Sequence, residues 1–360
     1  MSNKTLPPEH RRLQPIVLGA GVTLAVPVVL APMSRVTDLP FRQLARSLNA
    51  GMVVSEMIAS VAMVRQNRNT LRMAEVATGG AGAPSAVQLA GCEPEAMAEA
   101  ARLAVDKGAE LIDINFGCPV KKVAMGQHAG SALMRDEVLA ARLLEATVKA
   151  VPVPVTLKMR MGWDHAHLNA PRIARIAEEC GIRMLTVHGR TRQQFYSGRA
   201  DWDFIAKVKA AVRLPVLVNG DILTEDDAAE AMRRSGADGV MIGRGALGRP
   251  WVLAQIAHFL RTGSRLPAPP LARQQAIMLE HFHAMLAYYG TEAGLRLARK
   301  HLCWYARGLP GAAQFRADVQ RLASVAEVEE LIRRFFEPLI ARGVVRETSD
   351  AAPDEDLIAA

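Results

Sequence analysis

Cysteine is scarce: four residues in 360, Cys92, Cys118, Cys180 and Cys303, widely spread and with no Cys-x-x-Cys pair. That scarcity excludes a disulfide scaffold. With no histidine cluster at ligand spacing it also excludes a structural zinc site, so no metal is expected and a reducing cytoplasm suits the chain. An unbroken membrane span is missing too. Leu13 to Ser34 carries no charge and follows His10-Arg11-Arg12, but Pro15, Gly19, Gly21, Pro27 and Pro32 interrupt it. It reads as a short hairpin turning at Gly19-Ala20-Gly21 followed by a buried strand, not as a signal peptide or a span. Half of the residues are hydrophobic and 22% are charged, which excludes a disordered, fibrous or coiled-coil protein. Lysine and arginine outnumber acids by 44 to 36, although residues 347–360 hold five acids and no base. The rest of the chain is therefore more basic than its total, as suits a polyanionic partner.

Eight short apolar runs are present: Pro27 to Ser34, Met52 to Ile58, Ser85 to Gly91, Leu111 to Cys118, Val155 to Arg160, Met184 to Gly189, Val216 to Ile222 and Val240 to Gly243. Helical patterns lie between them, as at Glu93 to Lys107, Asp136 to Ala150, Ala170 to Glu179 and Thr224 to Ser235. Gly51, Gly108, Gly181 and Gly236 precede four of the runs, where a helix needs a left-handed closing residue. Strands apolar on both faces alternating with helices predict an α/β fold, a parallel (β/α)8 TIM barrel, in preference to a doubly wound open sheet. Beyond Pro267, Pro269 and Pro270 only helical patterns remain, and residues 261–346 hold 13 Lys or Arg against 7 Asp or Glu. A small, basic, all-helical unit is expected there.

Polar groups gather where the runs end: Ser34, Glu56, Gln88, Asn115, Lys158, Arg160, His188, Asn219, Asp221 and Arg244. In a barrel these ends build the active site. Gly243 to Gly248 satisfies G-x-G-x-x-G but follows the last strand, so it reads as a phosphate loop with Arg244, or as a plain glycine-rich turn, and not as a dinucleotide fold. Lys158 in an apolar strand needs a negative partner, which a reduced flavin supplies; Asp113 or Asp221 would serve equally. Cys118, between Gly117 and Pro119, is a protonated thiol displayed on a rigid turn and fit to act as an acid. The other three cysteines read as inert core residues.

The run Asp113-Ile-Asn115-Phe-Gly117-Cys118-Pro119-Val-Lys121-Lys122-Val123, with Ala31-Pro32-Met33, Ser55-Glu56-Met57, His188-Gly189-Arg190-Thr191-Arg192, Asn219-Gly220-Asp221-Ile222 and the Gly243 to Trp251 segment, resembles the tRNA-dihydrouridine synthase family. The likeness covers about residues 15–340 and is closest to the bacterial B-type branch, which also carries an older nitrogen-regulation name. It implies an FMN enzyme that reduces the C5–C6 bond of a D-loop uridine in tRNA, at position 17, with NADPH or NADH as reductant. Carried over by position, Pro32, Met33 and Ser34 line the flavin, Gln88 and Lys158 contact its ring, and His188 lies beside it. Asn219, Gly220, Asp221, Gly243 and Arg244 take its phosphate end. Cys118 is the proton donor, and Asn115 and Arg160 orient the uracil. The division expected is a tail over 1–14, an FMN-binding barrel over 15–262, a tRNA-binding helical unit over 263–346 and an acidic tail over 347–360. Arg296, Arg299, Lys300 and Arg307, interleaved with Trp304 and Tyr305, are the expected RNA face; a solvated helix with two core aromatics is the alternative. Two other functions fit parts of the chain: an FMN dehydrogenase of a free pyrimidine, and a non-catalytic RNA-binding regulator, which would be colourless.

Overall fold

The computed structural model describes residues 13–77 and 83–346. The expected acidic tail, and all but the last two residues of the expected N-terminal tail, lie outside the described residues. A hairpin of β1 (Ile16–Gly19) and β2 (Val22–Leu24) comes first, antiparallel, and Gly19, Ala20 and Gly21 turn it with positive φ of 95°, 49° and 78°. The apolar runs follow as β3 (Val28–Leu30), β4 (Met52–Val54), β5 (Ile58–Ala59), β6 (Ser85–Ala90), β7 (Leu111–Phe116), β8 (Val155–Arg160), β9 (Leu185–His188), β10 (Val216–Asn219) and β11 (Gly239–Ile242). Parallel pairing runs β4-β3-β11-β10-β9-β8-β7-β6 and returns from β6 to β4, a closed ring of the (β/α)8 kind. The second run alone is split. After β4 the hydroxyl of Ser55 replaces a backbone acceptor, taking the Gln88 N–H at 2.9 Å, before β5 rejoins β6.

Alternation along each strand sorts the residues into two shells. One face of each strand packs outward on the surrounding helices, with Ile112, Leu157, Val187 and Val218 fully buried in a single large cluster. The lower inward positions, among them Leu111, Met184, Leu217 and Met241, pack with Ile16, Leu18 and Leu24 of the hairpin, which closes the amino-terminal end of the barrel. The upper inward positions are the polar ones.

Helices occupy Pro94–Asp106, Glu137–Ala150, Ala170–Glu179 and Glu225–Ser235, the last opened by a Thr224–Asp227 capping box. Gly108, Gly181 and Gly236 close helices with positive φ, as the sequence predicts. Gly51 does not. Asn49 takes the left-handed position there, and Gly51 is required because a Cβ would lie 1.7 Å from the Val26 carbonyl oxygen. Past the proline segment, helices Leu271–Tyr289, Thr291–Ala306, Ala312–Val319 and Val325–Ala341 bury their own cluster, which Leu44 and Trp251 of the barrel join. No helix among the described residues is long and apolar enough to cross a membrane.

Candidate active site at the carboxyl ends of the strands

The upper inward residues of β6, β7 and β8 are Gln88, Asp113, Asn115, Thr156 and Lys158, neighbours in register. A polar layer this deep survives only if each group is paired. Asp113 accepts from Thr156 Oγ1 at 2.6 Å and from Gln88 Nε2 at 2.7 Å, and burial pushes its carboxyl up. Gln88 Oε1 accepts from Asn115 Nδ2 at 2.8 Å. Asn115 Oδ1 in turn accepts the backbone N–H groups of Gly117 and Cys118 at 3.0 and 2.8 Å. The Cys118 carbonyl accepts from Ser131 Oγ at 2.8 Å, so the turn carrying the thiol is pinned from both sides. Cys118 itself is half-buried and lines the cavity above, and burial holds its thiol above the ordinary range.

Lys158 makes no direct ion pair with either of the carboxylates weighed for it, although Asp113 lies near enough to attract it. Its Nζ donates to Asn219 Oδ1 at 3.0 Å, and no carboxylate among the described residues lies within ion-pair distance of it. Burial, with Arg160 adding repulsion, lowers its pKa to about 8. His188 is driven well below its usual value, first by burial and then by the cations around it, so the ring is neutral. Asp221 is bound by Arg190 at 2.6 Å and Arg244 at 2.9 Å, and accepts the Ala200 N–H at 2.8 Å. Its carboxylate is not available to an anion, which it would repel; it aims Arg244 instead.

Two cavities adjoin here and share six lining residues. The wider, about 430 Å³, is lined by Ser34, Met57, Gln88, Asn115, Cys118 and Arg160, and the narrower, about 80 Å³, by Asn219, Gly220, Asp221, Gly243 and Gly245. Pro32, Met33, Lys158, His188, Tyr196 and Arg244 line both. The result is an elongated cleft with a thiol at one end and a glycine–arginine loop at the other. Gly243 leaves part of that space open: a Cβ there would meet nothing nearer than Met33 Sδ at 3.6 Å.

Residues 29–340 match the family model described as dihydrouridine synthase (Dus). The chain belongs to that family. Among its relatives are a probable tRNA-dihydrouridine synthase of Rickettsia bellii, 54% identical and covering 89% of this chain and 98% of the relative. The tRNA-dihydrouridine synthase B of Xanthomonas axonopodis pv. citri is 53% identical, covering 92% of this chain and 98% of its own. That of Pseudomonas aeruginosa is 49% identical over 87% of this chain and 94% of its own.

Several side chains around the site do more, or stand elsewhere, than the sequence alone indicates. Arg160 is 2% exposed, and its Nε and Nη1 donate to the carbonyls of Gly117, Thr191 and Phe195 at 2.7–2.8 Å, so it ties the loop after β7 to the loop after β9 besides lining the cavity. Trp304 and Tyr305 are buried at 2% and 1% exposure, core aromatics and not an RNA face. Arg296, Arg299 and Lys300 do converge, on a separate cavity of about 740 Å³ between the barrel mouth and the helices; Arg299 Nη2 also donates to the Leu322 carbonyl at 2.9 Å. Arg307 does not line it. The residue that sequence reasoning missed is Tyr196, on the loop after β9. It lines both halves of the cleft, with the guanidinium groups of Arg244 and Arg160 at 5.0 and 5.7 Å from its ring. Its only signal was position, directly beyond the Arg190-Thr191-Arg192 segment.

Proposed function

We propose that this protein acts in the cytoplasm on tRNA, reducing the C5–C6 double bond of a D-loop uridine, position 17, with resident FMN and with NADPH as reductant. The observation that carries the reading is the single cleft shared by Cys118, Lys158 and the Arg244 loop. Its proportions suit a flat ring system beside the thiol and a phosphate in the narrow end, where Arg244, the backbone of Gly243 and Gly220, and Asn219 would hold it. Pro32, Met33 and Ser34 would form one wall for the ring. Lys158 is a buried cation with no carboxylate in direct contact, as suits an electron-rich ring edge, with Gln88 and His188 beside it. The relatives' names support tRNA, and the D-loop is what the family resemblance of the sequence implies.

When bound, FMN supplies the hydride that uracil takes at C6, and NADPH restores it. C5 then needs a proton, because the negative charge shared with the C4 carbonyl would otherwise expel the hydride. Cys118 carries that proton, and a thiol held above its ordinary range by burial still has it at neutral pH. Asn115 and Arg160 position the Cys118 turn through the bonds above and orient the uracil with their remaining donors. Purified protein incubated with NADPH and an unmodified tRNA transcript is expected to form dihydrouridine at a single position, read by mass spectrometry. A transcript of unchanged mass would refute the reading.

Arg296 and Lys300 are assigned to RNA phosphates. Changing both to glutamine is expected to weaken tRNA binding and to reduce the slope of log Kd against log salt by roughly 1–2. An unchanged slope would remove the helical unit from the RNA contact.

A further inference from the structure

The cavity of about 740 Å³ beside the helical unit carries cations suited to phosphate, yet it also contains two carboxylates, Asp38 and Glu56. An acid in a polyanion site weakens binding unless it does something else. Asp38 does: its Oδ1 accepts the Phe41 N–H at 3.0 Å, capping a helix, and its Oδ2 accepts from Tyr289 at 3.1 Å. Glu56 is different. Its Oε1 accepts the Arg35 N–H, while Oε2 has no hydrogen bond among the described residues although the residue is only 7% exposed. Arg42, Lys300 and Arg35 lie near enough to attract the carboxylate, but that oxygen opens on the cavity without a hydrogen-bond donor, an acceptor able to take one from a ligand.

The placement of that acceptor relates the cavity to the cleft. Ser34 and Met57 line the cleft that holds Cys118, and the next residues along the chain, Arg35 and Glu56, line the second cavity. The two spaces therefore adjoin across these dipeptides, so that one strand of RNA crossing this edge would meet both. At about 740 Å³ the second space lies within the range of small-molecule sites, ~300–1,000 Å³.

We propose that this cavity binds the nucleotide adjoining the target uridine and reads its base as guanine, the Glu56 carboxylate accepting from the N1–H and 2-amino groups and Lys300 and Arg299 facing the phosphates. Guanine is the base that places two donors side by side on one edge, which matches a carboxylate; adenine and cytosine offer an amino group beside an acceptor, which a carboxylate repels. The inference rests on tRNA being the substrate.

The test uses flavin-loaded, full-length protein and tRNA transcripts in which each guanosine flanking the target is replaced in turn by inosine or adenosine. For one flanking position the parent protein is expected to lose about tenfold or more in kcat/KM with adenosine, and a smaller part with inosine, which lacks only the 2-amino group. Glu56→Gln, which offers an amide in place of the carboxylate, is expected to abolish that preference. If adenosine lowers kcat/KM equally in parent and variant, the base acts through RNA folding and the inference fails. It fails as well if the parent is indifferent to every flanking change, a result that stands even if the Glu56→Gln chain does not fold. A protein that forms no dihydrouridine in any transcript overturns the proposed function and this inference together, whereas reduction without base preference overturns only this one.

Discussion

Cys118→Ala is expected to retain its flavin and to oxidise NADPH at the parent rate, while uridine reduction falls about 10²–10⁴-fold. The separation follows from geometry. Cys118 lines the wide end of the cleft, away from the Asn219 to Asp221 and Gly243 to Arg244 loops at the narrow end, so removing the sulfur leaves the phosphate end untouched. The turn itself should survive, because its contacts use the Cys118 backbone N–H and carbonyl, which alanine keeps. What disappears is the proton for C5. Stopped-flow flavin absorbance gives the first half-reaction and dihydrouridine content the second. A variant that reduces uridine as fast as the parent would remove the thiol from the chemistry, and one that loses its flavin would show that the cysteine is structural.

The largest expected effect on stability belongs to Gly248→Ala. Gly248 has φ +69°, and a Cβ there would lie 2.2 Å from the Trp304 carbonyl oxygen, 2.4 Å from its carbon and 2.8 Å from the Tyr305 nitrogen. All three are backbone atoms of helix Thr291–Ala306, so relief requires moving the helix off the barrel. Left-handed strain adds about 1 kcal/mol, and overpacking against rigid backbone brings the total to roughly 3 kcal/mol or more. Chemical denaturation should show the loss. Gly243→Ala is the control: with its nearest neighbour at 3.6 Å the fold accepts the methyl, which enters the cleft and should lower flavin content instead. Equal stability of the two variants would contradict this division of the loop.

That loop shows how much was legible beforehand. G-R-G-A-L-G after the last strand identifies a glycine-rich segment at the barrel mouth, but the letters do not distinguish a glycine that opens a cavity, Gly243, from one that lets a helix approach, Gly248. Lys158 presented the same difficulty. An ammonium in direct contact with Asp113 or Asp221 and one that is not look alike in sequence; the structure separates them because the hydrogen bonds of Asp113 go to Gln88 and Thr156, leaving it to attract Lys158 only from a distance, and Asp221 is held by two arginines. For Trp304 and Tyr305 the sequence leaves two readings, an RNA face shared with Lys300 or two core aromatics on a solvated helix; helical rotation carries them inward, to the second.

By itself the sequence determined the eight-stranded parallel ring, the hairpin beneath it, the polar carboxyl ends and the family, because these depend on hydrophobic period, turn chemistry and contiguous motifs, all properties of neighbours along the chain. Only the tertiary structure decided which polar groups partner one another, that Arg160 ties the loops after β7 and β9 together, that Tyr196 stands over the cleft, and that Glu56 keeps an oxygen without a hydrogen bond beside a second cavity. The reason is physical. A hydrogen bond or a close approach joins residues tens of positions apart, and no local pattern records which of several chemically suitable partners the closed barrel brings within 3 Å.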